Sequence, residues 1–127
     1  MSKDRTIIGF ILPSPFYNRR GEFIAGEYNG YIAIPKELIK EEWMKDEHEH
    51  FPGGQMITLC KEGEWVKDIP LYNNVRGDVR DVDNSYQIFG WDYAHCWHTK
   101  ENTTFDIVKE DVERTIILVT ENIEGIK

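Results

Sequence analysis

Four histidines fall into two tight groups, His48 with His50 in Asp46-Glu47-His48-Glu49-His50 and His95 with His98 in Asp92-Tyr93-Ala94-His95-Cys96-Trp97-His98. Neutral imidazole is the commonest protein ligand for a divalent metal. Zinc takes three or four His, Cys, Asp or Glu donors and keeps a position open where the site is catalytic. In an extended stretch His48 and His50 project to one face, because side chains alternate with period two. On a helix Asp92 and His95 share a face, whereas on a strand Asp92, Cys96 and His98 do so. Either geometry converges donors, so Asp92, His95, His98, His48 and His50 are the candidate metal ligands, with zinc favoured. Neither group matches a named signature such as H-E-x-x-H or a paired C-x-x-C. The structural alternatives are a solvated acidic helix end for residues 46–50 and a half-buried His95 bonded to backbone or to Asp92.

Trp91, Tyr93 and Trp97 alternate through the second group. Their faces suit the walls of a pocket for a planar ligand, or the aromatic packing of a small core. Arg19-Arg20 and the stretch from Arg76 to Arg80 are the compact cationic spots, and the guanidinium fork suits phosphate or carboxylate. Cys96 and His95 are neighbours, so on a strand they point to opposite faces and form no direct nucleophile–base pair. Cys60 and Cys96 are the two cysteines, far below the density of a disulfide-stapled secreted domain; a bridge between them stays open, and a reduced cytoplasmic setting is the simpler expectation.

Elements that could hold these groups must fit in 127 residues, a length expected to form one domain over residues 1–127. Apolar residues make up 40% and aromatics 13%, enough to fill a core. With 23 acidic against 15 basic residues the net charge is −8, which repels a phosphate backbone and argues against non-specific nucleic-acid binding. No stretch reaches the roughly 18 to 20 apolar residues of a membrane helix, and the apolar run 7–13 lacks a small-residue cleavage site, so it is expected to be a strand and no membrane partner is expected.

Residues 6–12 are β-branched and bounded by Pro13 and Pro15, as a strand buried on both faces would be. Residues 21–26 and 30–35 flank Glu27-Tyr28-Asn29, and Asn29-Gly30 invites a hairpin turn. Pro35 opens a short helix over 36–44, with Leu38, Ile39, Glu42 and Trp43 at helical spacing. Residues 55–60 have strand propensity, 61–64 a turn composition, and 66–85 that of a long loop with a strand at 69–72. Residues 86–93 are expected to be a central strand. Phe105, Val108, Val112, Ile116, Val119 and Ile123 form one stripe of a closing amphipathic helix, with a strand at 115–119 as the competitor. The expected architecture is α+β: a small antiparallel sheet, a short helix after Pro35, and a C-terminal amphipathic helix packed on the sheet.

Gly90-Trp91-Asp92-Tyr93-Ala94-His95, preceded by Asn29-Gly30-Tyr31-Ile32-Ala33-Ile34-Pro35, resembles a family of small uncharacterised proteins of phages and prophages. That family's pattern runs roughly W-x-x-G-F-D-x-A-H after an N-G-Y-x-A-I-P segment, and with the C-terminal stripe the likeness spans about residues 25–120. Where the family often shows H-G-G-x-T-Y, this chain has Gly53-Gly54-Gln55-Met56-Ile57-Thr58-Leu59. The family's usual aspartate after A-H is replaced near His98 or Thr99. The resemblance implies a phage-type accessory protein with Asp92 and His95 in its most distinctive motif, and it implies no chemistry.

The residues point first to binding of a small ligand or divalent metal in a His/Asp pocket, since donors are evident and a nucleophile with its base is not. A metal-dependent hydrolase is the alternative, with Glu47 or Glu49 taking a proton from metal-bound water. A third class is an acidic interaction protein that inhibits a basic host factor.

Overall fold

The computed structural model describes residues 7–13, 16–17, 20–21, 23–25, 28–45, 51–52, 57–69, 71–93 and 104–125. Strands β1 (Ile8–Pro13), β2 (Phe16–Tyr17), β3 (Phe23–Ala25) and β4 (Tyr28–Pro35) come first, then helix α1 (Glu41–Lys45). They are followed by β5 (Leu59–Glu62), β6 (Asn73–Arg76), β7 (Tyr86–Trp91) and the 20-residue helix α2 (Phe105–Glu124). Five strands form one antiparallel sheet in the order β5-β7-β4-β1-β6, and β2 pairs with β3 apart from it. The architecture is α+β, with α2 packed on the sheet.

Alternation along the strands sorts the core into two layers. Ile11, Ile32, Ile34, Phe89 and Trp91 face α2, whose Val108, Val112, Ile116 and Val119 are all buried against them. Phe10, Leu12, Tyr31, Ala33 and Ile88 face the other way, where Val66, Val79 and Val82 cover them from the 3-10 turns and loops between β5 and β7. Both faces of the central strands β1, β4 and β7 are therefore buried, which explains the unbroken apolar run of β1. Gly9 lets α2 settle on the sheet: a Cβ there would stand 2.6 Å from both Ile116 and Val112.

Helix α2 follows the expected stripe. Thr104 caps it, its side-chain oxygen accepting from Ile107 N–H at 3.4 Å, and Gly125 ends it in the left-handed region at φ 79°. Burial of the stripe on one face, worth about 1.5–3 kcal/mol per large aliphatic side chain, outweighs the β preference of residues 115–119.

Several local expectations are corrected. Residues 21–26 and 30–35 do not form a hairpin: β3 pairs with β2, while β4 lies between β1 and β7. Asn29 and Gly30 sit inside β4 rather than at a turn, and Gly30 has no positive φ. The helix expected after Pro35 is broken into a 3-10 turn, Lys36–Leu38, and α1, with Ile39 extended between them at ψ 130°. The break carries Lys40 to the end of α2, where its Nζ donates to the Asn122 carbonyl at 2.8 Å, while Trp43 enters the core. Strand pairing in the fifth strand runs over Leu59–Glu62, with Thr58 N–H already bonded to the Gly90 carbonyl at 2.9 Å, and Gly63–Asp68 turns as a 3-10 helix. The strand expected at 69–72 forms instead at Asn73–Arg76, because the exposed edge of β1 supplies its partner there.

Candidate functional site

The two motifs of the sequence meet as neighbouring strands. Gly30 of β4 stands opposite Trp91 of β7, and Tyr31 opposite Gly90. Each glycine makes room for the aromatic directly opposite it. A Cβ at Gly30 would come within 2.7 Å of the Trp91 indole, and one at Gly90 within 2.5 Å of the Tyr31 ring. The N-G-Y and G-W-D elements are thus one interlocked cross-strand unit, with Trp91 on the α2 face and Tyr31 on the other.

Trp91 and Tyr93 are 2% and 4% exposed. The Trp91 indole N–H donates to the Tyr93 hydroxyl at 2.9 Å, which donates in turn to Asp111 Oδ2 on α2 at 2.6 Å. Arg114 holds the other Asp111 oxygen at 2.8 Å. Burial, and then the bond to Asp111, push the Tyr93 phenol far above its ordinary range, so it stays protonated as the link of this chain. The aromatic faces of Trp91 and Tyr93 are taken up by the core rather than open to a planar ligand, and Trp97 lies outside the described residues.

Asp92, between these two anchors, is half-buried and continues the strand alternation onto the opposite face. There it neighbours Tyr31, whose hydroxyl is held protonated first by burial and also by the Asp92 charge, against the lowering effect of its Asn29 bond. Asn29 Nδ2 donates to the Tyr31 oxygen at 3.4 Å, and the buried Asn29 Oδ1 has no partner among the described residues. Tyr31 stacks on Phe10 at 5.3 Å and meets Trp65 at 5.8 Å.

His48, His50, His95 and His98 lie outside the described residues, as does Cys96. Among the described residues no group of three His, Cys, Asp or Glu side chains is placed to hold a metal. What is described is the chain at the borders of both histidine stretches. Trp43 precedes the first and Phe51 follows it, and their rings meet at 5.7 Å. Phe51 also packs on Phe89 at 4.8 Å, two residues before Trp91 in β7. Trp43, Phe51, Phe89, Trp91 and Tyr93 all belong to the core cluster under α2. Sequence reasoning missed this shared anchorage; the apolar residues flanking each histidine group were its signal. Cys60, at the outer edge of the sheet, is exposed and accepts from Gln87 Nε2 at 3.2 Å.

No family model matches the sequence, and no solved structure matches the fold. No helix among the described residues is long and apolar enough to cross a membrane.

Proposed function

We propose that this is a phage-type accessory protein of the host cytoplasm that binds a divalent cation, zinc favoured, or a small ligand held by the same donors. Asp92, His95 and His98 supply the first set, and His48 and His50 the second. The carrying observation is the common aromatic anchor: the borders of both histidine stretches join one cluster, through the Phe51–Phe89 contact. His50 is one residue from Phe51 and His95 two residues from Tyr93, so each histidine group adjoins in sequence a residue of that cluster. The Trp91–Tyr93–Asp111 chain fixes the backbone on each side of Asp92, the preorganisation that a ligand carboxylate needs. Phage affiliation rests on the sequence resemblance of the two motifs, which pair here as adjacent strands.

Calorimetric titration of the metal-free chain with Zn²⁺, Mn²⁺ and Mg²⁺ tests this. One zinc per chain is expected, with binding weakened about 10- to 100-fold or more by His95→Ala and by Asp92→Asn. Absence of heat, together with less than about a tenth of an equivalent of metal in the purified protein, overturns the proposal.

A further inference from the structure

At the other end of the sheet, where β1 begins and α2 ends, lies a cleft of about 450 Å³, within the size range of small-molecule sites. Its apolar wall is made by Ile7, Leu38, Ile116 and Ile123, and Thr120 and two charged side chains of opposite sign, Arg76 and Glu124, complete the lining. Neither forms an ion pair among the described residues. Arg76 ends β6 beside Gly77, whose φ of 73° turns the chain so that the next carboxylate, Asp78, is taken by Arg80 at 2.7 Å. Glu124 stands in the last turn of α2, which contains no basic residue. A carboxylate at that pole meets the negative end of the helix dipole and is favoured by a nearby cation. Lys40 answers the Asn122 carbonyl of the same turn, not Glu124.

An aliphatic wall flanked by a guanidinium and a carboxylate that have no ion-pair partner among the described residues is complementary to a small apolar molecule with an anionic and a cationic end. We propose that this cleft binds an apolar zwitterion of amino-acid or dipeptide size. Its carboxylate is received by the Arg76 fork, its ammonium by Glu124 and the helix end, and its hydrocarbon by Ile7, Leu38, Ile116 and Ile123. The site is separate from Asp92, which lies at the opposite end of β7.

Calorimetry with leucine and leucyl-leucine tests the assignment, alongside N-acetylated and C-amidated forms of each. Saturable binding of at least one zwitterion is expected, and blocking either end weakens it about tenfold or more. In Arg76→Gln the amide and the free acid bind alike, and in Glu124→Gln the acetylated and free amines bind alike. Both side chains are exposed, and circular dichroism melting of the variants confirms that they fold. No saturable binding of either zwitterion up to about 10 mM overturns the proposal, as does binding that ignores both blocked ends or both substitutions.

Discussion

Replacing Gly30 by alanine puts a methyl group where the Trp91 indole already lies, 2.7 Å from Cζ2, 2.8 Å from Cε2 and 2.9 Å from Nε1. The indole cannot swing aside freely, since it is 2% exposed and its N–H is committed to Tyr93 at 2.9 Å. Overpacking of this kind costs about 1–3 kcal/mol, and a strained or lost Trp–Tyr hydrogen bond adds about 1. Against that, alanine lowers the entropy of the unfolded chain, returning about 0.4–1 kcal/mol. The net expectation is a loss of about 1–3.5 kcal/mol, or a melting temperature lower by roughly 3–14 °C in a domain of this length. A double-mutant cycle with Trp91→Phe, read by urea unfolding, isolates the cause: the smaller ring vacates the contested space, so Gly30→Ala should cost at least about 1 kcal/mol less in that background. Equal costs in both backgrounds, or a Gly30→Ala melting point within about 2 °C of the parent, would refute the interlocked-strand account.

Tyr93→Phe removes the middle of the chain that links β7 to α2, orphaning the buried Trp91 N–H and one Asp111 oxygen; chemical denaturation should show a loss of about 1–3 kcal/mol, and Asp111→Asn, which leaves the Trp91–Tyr93 bond in place, a smaller one. Gly63→Ala would set a Cβ 1.8 Å from the backbone oxygen of Asp83, a contact with no flexible side chain to yield, so it should destabilise by more than about 3 kcal/mol and cut soluble yield sharply. Asp78 has a carboxyl lowered to about 2, chiefly by its side-chain bond from Arg80 and then by the Arg80 N–H. Because the folded value lies below the unfolded one, its contribution is complete above about pH 5 and disappears as pH falls toward 2. Melting curves of the parent and Asp78→Asn should therefore converge between pH 4 and about 2, and a constant gap across that window would contradict the assignment.

Much of the fold is written in local pattern. The apolar run of residues 6–12, the aromatic run from Tyr86 and the α2 stripe each declare an element, because burial on a fixed period leaves a readable trace. Asn29-Gly30 misleads because Gly30 serves packing rather than a turn: its missing side chain is filled by Trp91, a residue 61 positions away in the sequence. The edge strand Asn73–Arg76 is equally illegible, with two asparagines of low strand propensity held there by pairing with β1. The break after Leu38 depends on where α2 ends, again a non-local fact. At the site, Asp92, Trp91 and Tyr93 were singled out by type and spacing, but the division of labour was not visible. Alternation at the strand end gives the two aromatics to the core and the carboxylate to the opposite face, and it needed Asp111 from α2 to show that Tyr93 is an anchor.

Whether the imidazoles and Asp92 share one ligand is tested most directly by anomalous scattering from crystals of the intact chain grown with zinc. The account predicts one strong peak about 2.0–2.2 Å from an Asp92 carboxylate oxygen and from nitrogens of His95 and at least one further histidine. A peak elsewhere on the molecule, or none at full zinc saturation of the crystallisation medium, would contradict it.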